Sequence, residues 1–219
     1  MSHDPHTDLQ SGLASILTSA PVVPVVTIED LADAVPLAKA LVAGGLPAIE
    51  VTLRTKVAME AIRVIAAEVE GAIPGVGTIL EASQLEAAQK AGARFAVSPG
   101  ATDRLLDASA SLNLPLLPGI ATASEAMALI ERGFTYAKFF PAEPAGGIPY
   151  LSALAAPLPQ LTFCPTGGVS IDSAPRYLAL PNVICVGGSW MLKRDHIKAK
   201  DWTAIEKASA AASALKPAS

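Results

Sequence analysis

The 219-residue chain has few of the residues that build metal sites or disulfides. It contains two cysteines and three histidines. Cys164 and Cys185 lie in separate apolar segments without a Cys-x-x-Cys spacing, and His3, His6 and His196 are scattered along the chain. We therefore expect no metal site, and two reduced thiols in the core of a cytoplasmic protein.

Other absences exclude whole classes of function. The net charge is −4 and no block of basic residues occurs, which argues against a nucleic-acid or anionic-membrane partner. No apolar run is long enough to span a bilayer, and the first residues lack the basic and apolar regions of a signal peptide. No Gly-x-Gly-x-x-Gly motif follows the first apolar strand, which removes the usual dinucleotide-binding interpretation.

Short apolar strands alternate with helical segments along the chain. The strands are predicted over residues 22–28, 48–53, 72–78, 95–98, 114–120, 136–142, 161–164 and 183–186. Leu13, Ile16 and Leu17 predict a short N-terminal helix that caps one end of the fold. The pattern is typical of an α/β protein with a single (β/α)8 TIM-barrel domain over residues 1–219, with residues 1–8 as a disordered tail. A doubly wound open sheet is the alternative.

One lysine stands in an apolar and aromatic strand, and its presence requires an explanation. Alternation along a strand puts Lys138 and Phe140 on one face and Phe139 on the other, and it allows Glu50 of the second strand to face Lys138. Desolvation disfavours the charged form of a buried amine, so such an amine can act as a nucleophile near neutral pH. A structural ion pair between Lys138 and Glu50 explains the same pattern.

Active-site residues of a barrel come from the carboxyl ends of its strands, and here those ends are rich in glycine. Two glycine pairs follow the last two predicted strands, Gly167-Gly168 after Thr166 and Gly187-Gly188 before Ser189. Backbone N–H groups at such turns, together with the serine hydroxyl, can bind a phosphate group. Plain structural turns are the alternative for each pair.

Several of these segments together resemble the 2-keto-3-deoxy-6-phosphogluconate (KDPG) aldolase family. The resemblance runs from Pro21 to Trp190 and is carried by residues 46–55, 75–78, 95–100, 138–143, 163–168 and 187–190. It implies a trimeric class I lyase on a (β/α)8 barrel, which cleaves KDPG into pyruvate and D-glyceraldehyde 3-phosphate without a cofactor. Val76 stands where the family more often has alanine, and we expect it to face the helices.

The resemblance also implies roles for individual residues. Lys138 forms the Schiff base and Glu50 is the general acid and base. The substrate carboxylate is bound by Arg54 and Thr78, the pyruvoyl group packs on Pro99 and Phe140, and the phosphate is bound at Thr166, Gly167, Gly168, Gly187, Gly188 and Ser189. The small-molecule partners are then pyruvate and a phosphorylated keto sugar acid.

Other functions use parts of the same pattern. Related enzymes cleave 4-hydroxy-2-oxoglutarate (KHG) or the galactonate-derived epimer of KDPG. A phosphosugar isomerase or epimerase would use the glycine turns without an iminium lysine. A non-catalytic metabolite-binding barrel would use Lys138 and Glu50 as a buried ion pair.

Overall fold

The computed structural model describes residues 5–216, with side chains from residue 9 onward. The strands in this range are β1 (Val22–Val26), β2 (Ala48–Thr52), β3 (Ile73–Gly77), β4 (Phe95–Val97), β5 (Leu116–Leu117), β6 (Gly119–Ile120), β7 (Tyr136–Phe139), β8 (Thr162–Pro165) and β9 (Val186–Gly188). The helices are α1 (Pro5–Leu17), α2 (Ala34–Ala43), α3 (Ala58–Glu68), α4 (Ala82–Lys90), α5 (Asp103–Ala110), α6 (Ala123–Glu131), α7 (Gly147–Leu154), α8 (Ala174–Leu178), α9 (Arg194–Lys198) and α10 (Trp202–Ser213).

All the strand pairs are parallel and the helices cross over between them. One sheet has the order β5-β4-β3-β2-β1-β9 and a second has the order β6-β7-β8. Only Pro118 separates β5 from β6, since proline lacks the N–H group that a continuous ladder needs. Isolated bridges link Phe163 to Val183 and Thr166 to Gly187. The predicted α/β class is confirmed, and the parallel strands form a curled sheet.

Two apolar clusters lie on opposite faces of the strands. The larger cluster packs between strands and helices and contains Val76, as predicted, together with Phe139, whose ring stacks on Tyr150 at 5.8 Å. The smaller cluster occupies the inner face, where Leu13 and Leu17 of α1 pack on residues of β1, β2, β4, β5 and β8. The N-terminal helix therefore covers one end of the inner core, as its spacing predicts.

Some boundaries differ from the sequence prediction for identifiable reasons. Pro36 lies in the first turn of α2, where a proline is tolerated, and a 3-10 turn over Leu31–Asp33 precedes the helix. The last strand lies at Val186–Gly188 instead of 183–186, because these are the residues that pair with Val22–Pro24 of β1. Helix α1 begins at Pro5, so only residues 1–4 of the predicted tail lie outside the described part.

Helix α9 follows the last strand and has no counterpart among the elements that the sequence predicts. Its five residues contribute no buried side chain, so no apolar periodicity marks it. Within residues 5–216, none of these helices is long and apolar enough to cross a bilayer.

Candidate active site

Lys138 of β7 and Glu50 of β2 meet on the inner face of the strands. The Nζ of Lys138 donates to Oε1 of Glu50 at 3.1 Å and lies 3.5 Å from Oε2. Only 7% of the lysine side chain and 4% of the glutamate side chain is exposed. The predicted pairing is confirmed, and burial removes most of the water that would otherwise screen it. The arrangement can move a proton between an amine and a carboxylate.

Nearby contacts surround the amine of Lys138 and fix the strand that carries Glu50. The Nζ of Lys138 lies 5.2 Å from the ring centroid of Phe140, within range of a cation–π contact. Next to Glu50 along β2, the buried Thr52 donates to the carbonyl of Val26 and is 3.0 Å from the hydroxyl of Thr27. These contacts hold β2 against β1 at the end of the strand that carries Glu50.

The missing side chains of Gly75 and Gly77 leave space that other protein side chains occupy. A Cβ atom on Gly77 would lie 2.4 Å from Oε1 of Glu50, and one on Gly75 would lie 2.3 Å from the ring of Phe95. Both gaps are therefore filled by side chains of neighbouring strands. Gly77 makes space for the carboxylate that pairs with Lys138.

Thr78, directly after β3, has an unusual backbone conformation. Its φ is +63°, in the left-handed region that β-branched residues rarely adopt. Such strain persists only where the surrounding structure imposes it, and it is concentrated at functional sites. The conformation supports the interpretation of Thr78 as a site residue.

A cavity of about 150 Å³ lies next to the amine and collects most of the predicted substrate-binding residues. It is lined by Val25, Arg54, Phe140, Thr166, Gly167, Gly168, Val169, Gly187, Gly188 and Ser189. Phe140 thus touches both the amine and the cavity. Thr78 and Pro99 lie at the ends of β3 and β4, outside this lining.

The glycine turns of this cavity are shaped by close contacts. Gly167 and Gly168 have positive φ angles of +100° and +83°, which residues other than glycine adopt only with strain. A Cβ atom on Gly187 would lie 2.2 Å from Oγ1 of Thr166. The two turns therefore meet through Thr166, and their backbone groups border one cavity.

A larger cavity, of about 490 Å³, lies at the opposite end of the fold between α1 and the first residues of β3 and β4. Its polar residues include the exposed Arg94 and Asn113. Catalytic groups of parallel α/β proteins lie at the carboxyl ends of strands, so position and chemistry both favour the cavity beside Lys138.

The sequence matches the model of the KDPG and KHG aldolase family over residues 13–208. It is 52% identical over 193 residues to the KHG/KDPG aldolase of Escherichia coli K12, covering 88% of this chain and 91% of that protein. The chain belongs to the KDPG and KHG aldolase family.

Solved structures of KDPG aldolases have the same fold. That of the Zymomonas mobilis enzyme with 3-phosphoglycerate superposes with a TM-score of 0.91 at 46% identity, covering 95% of this chain and 98% of that one. That of the Legionella pneumophila enzyme, with pyruvate captured as a covalent carbinolamine, gives 0.89 at 44% identity, covering 92% and 98%.

Two further features of this KDPG and KHG aldolase family member involve groups outside the predicted site. The buried thiols Cys164 and Cys185 are free and neighbour one another. The hydrogen bond with Cys164, and then burial, raise the pKa of Cys185, which keeps its thiol protonated and unreactive. Within residues 5–216, no group of three or more His, Cys, Asp or Glu side chains is placed to hold a metal ion.

Sequence reasoning missed some residues around the site of this aldolase family member. Val25 and Val169 line the cavity, and Glu143 and Tyr177 are joined by a hydrogen bond behind the Gly167-Gly168 turn. Glu143 belongs to the 138–143 segment that carries the family resemblance, which was the available signal. Tyr177 lies on a short helix 34 residues further along and gives no local signal.

Proposed function

We propose that this chain is a class I aldolase that cleaves KDPG into pyruvate and D-glyceraldehyde 3-phosphate and that also cleaves KHG. The observation that carries the proposal is the buried contact of 3.1 Å between Lys138 Nζ and Glu50, beside a cavity bordered by two glycine turns. Relatives support both halves of the reaction, because one holds pyruvate as a carbinolamine and another contains 3-phosphoglycerate.

Catalysis begins at the amine. Glu50 takes a proton from the Lys138 ammonium, and the neutral amine attacks the C2 carbonyl carbon of the substrate. Glu50 passes that proton to the carbonyl oxygen and takes a second one from Nζ. It then returns the second proton to the C2 hydroxyl, which leaves as water, and the protonated imine that remains accepts electrons. The short contact between Nζ and Oε1 is within the range needed for these proton transfers.

Carbon–carbon cleavage follows from the same pair. Glu50 removes the proton of the C4 hydroxyl, the C3–C4 bond breaks, and its electrons flow into the imine to give an enamine while the aldehyde leaves. Protonation at C3 and hydrolysis then release pyruvate and restore Lys138. Because the pair is nearly inaccessible to bulk water, the enamine is protected from unproductive protonation.

The remaining residues bind the substrate on either side of this pair. Arg54, exposed at the mouth of the cavity, and Thr78 bind the carboxylate, since a guanidinium can form two parallel hydrogen bonds with it. Pro99 and Phe140 pack against the pyruvoyl group. The phosphate is bound by backbone N–H groups at the two glycine turns and by Thr166 and Ser189, which border one cavity.

The protein that carries this site is a single closed (β/α)8 barrel, in which β5 and β6 act as one strand. The isolated bridge from Thr166 to Gly187, which links β8 to β9, supports this closure. A homotrimer and a cytoplasmic location complete the proposal, supported by the family resemblance and by the buried free thiols. Sedimentation equilibrium should then give a mass three times the 22.4 kDa of one chain.

Product release tests the function. Purified chain is incubated with KDPG or KHG, and pyruvate is measured with lactate dehydrogenase and NADH. We expect pyruvate from both substrates, and release at background level for Lys138→Ala. Lys90→Ala, which removes an exposed lysine at the end of α4, is the matched control and should retain full activity. Undiminished release by Lys138→Ala would refute the mechanism.

A further inference from the structure

The segment after the Lys138 strand is bonded side by side to the first glycine turn. The N–H of Ala142 donates to the carbonyl of Thr166 at 2.8 Å, and the N–H of Glu143 donates to the carbonyl of Gly167 at 3.0 Å. On the other side, the N–H of Thr166 donates to the carbonyl of Phe139 at 2.9 Å. The position of the turn relative to Lys138 therefore depends on this segment.

The side chain of Glu143 lies against the same turn. A Cβ atom on Gly168 would lie 2.7 Å from both Cβ and Cγ of Glu143, so the missing side chain of Gly168 leaves the space that Glu143 fills. Glu143 is not among the residues that line the 150 Å³ cavity. Its carboxylate is thus held behind the turn, away from the space where an anion would bind.

A buried tyrosine holds that carboxylate in place. The hydroxyl of Tyr177 donates to Oε1 of Glu143 at 2.8 Å, and Tyr177 is fully buried on α8. Burial, and then the hydrogen bond with Glu143, raise the pKa of Tyr177, so the hydroxyl keeps its proton and remains a donor. A further hydrogen bond connects helix α8 to the segment after the glycine turn. The N–H of Ser170 in this segment donates to Oγ of Ser173, the N-cap residue of α8.

We propose that Glu143 and Tyr177 are a positioning pair that fixes the Gly167-Gly168 turn for the phosphate of the substrate. This inference rests on the proposed aldolase function. The pair acts in two ways: it joins the segment after Lys138 to the helix after the turn, and it keeps a carboxylate from swinging toward a phosphate dianion. Neither residue touches the reacting carbons, so imine formation with pyruvate does not depend on the pair.

The test compares three variants on substrates with and without a phosphate. Tyr177→Phe removes the donor, and KM for KDPG should rise about tenfold, the effect of one lost hydrogen bond, with kcat nearly unchanged. The rate of borohydride trapping with pyruvate and KM for KHG should stay within about twofold of wild type. Glu143→Gln keeps an acceptor oxygen and should behave like wild type. The double variant Tyr177→Phe with Glu143→Gln should recover part of the loss, because the released side chain is neutral.

The outcomes separate this inference from the function beneath it. Equal losses for KDPG, KHG and pyruvate trapping in Tyr177→Phe would indicate a merely structural role and overturn the inference, as would an unchanged KM for KDPG. Failure of the wild-type chain to be trapped by pyruvate would overturn the aldolase function itself. If Tyr177→Phe does not fold, Glu143→Ala at an exposed position removes the acceptor and should give a smaller rise in KM for KDPG that is equally selective, because no carboxylate is released.

Discussion

Substitution of Gly77 by alanine tests how far catalysis depends on the position of Glu50. The backbone of Gly77 has no positive φ, so alanine is conformationally allowed there. Its new Cβ would, however, lie 2.4 Å from Oε1, 2.6 Å from Cγ and 2.9 Å from Cδ of Glu50. Since β2 and β3 are bonded along their length, the carboxylate is the group that must move.

The size of the effect follows from the geometry of the pair. At 3.1 Å and an effective dielectric constant of about 20, the attraction between the charges of Lys138 and Glu50 is about 5 kcal/mol, and a retreat of about 1 Å removes about 1 kcal/mol of it. Crowding in the core adds a destabilisation of about 1–3 kcal/mol. Displacement of a proton-transfer group by about 1 Å lowers kcat about 100-fold.

The control is the same substitution two residues earlier. A Cβ atom on Gly75 would collide with the ring of Phe95, at 2.3 Å, and not with Glu50. Gly75→Ala should therefore lose stability while losing much less activity per folded molecule. Gly100→Ala, where no atom lies within 4 Å of the added Cβ, should change neither. Activity is measured by pyruvate release and stability by urea unfolding. Equal kcat values for Gly77→Ala and Gly75→Ala would refute the argument.

Other substitutions probe the strain, the phosphate turn and a helix cap. Thr78→Gly should increase the free energy of unfolding by about 1 kcal/mol, because glycine adopts a φ of +63° without strain. KM for both keto acids should rise, because the hydroxyl proposed to bind the carboxylate is lost. A lower free energy of unfolding in urea would contradict the first expectation. Ser189→Ala should raise KM for KDPG about threefold to tenfold and leave KM for KHG unchanged, since one donor to the phosphate is lost. If KM for KDPG is the same in Ser189→Ala and in the wild type, Ser189 does not belong to the site. Burial raises the pKa of Glu125, but hydrogen bonds from Ala121 and Thr122 together lower it by more than burial raises it. The pKa of Glu125 therefore lies below the ordinary value of 4.5. The ionised cap of α6 should therefore stabilise the wild type over Glu125→Gln by about 0.5 kcal/mol above pH 4.5, and the advantage should vanish as pH falls through the lowered pKa; a difference independent of pH in thermal melts would contradict it.

The parts of the structure that depend on local patterns were predictable. Period-two alternation allowed Lys138 and Glu50 to share a face, and the structure joins them at 3.1 Å. The helical spacing of Leu13 and Leu17 predicted a capping helix, and both side chains pack in the inner core. These predictions succeed because strand and helix periodicities decide which face a side chain occupies.

The parts that depend on contacts between distant segments were not predictable. The gap left by Gly77 is filled by a side chain from β2, and the gap left by Gly187 is filled by Thr166. A glycine in a sequence indicates missing volume, but only the folded chain shows which neighbour occupies it. For the same reason Tyr177, 34 residues from Glu143, was not recognised as its partner.

The most direct test of the central claim is to locate the imine. The wild-type chain is incubated with pyruvate, reduced with borohydride and digested, and the peptides are mapped by mass spectrometry. We expect a single reduced pyruvate adduct on Lys138, and none in Lys138→Ala. An adduct on another lysine, or an unmodified Lys138 in an active preparation, would contradict it.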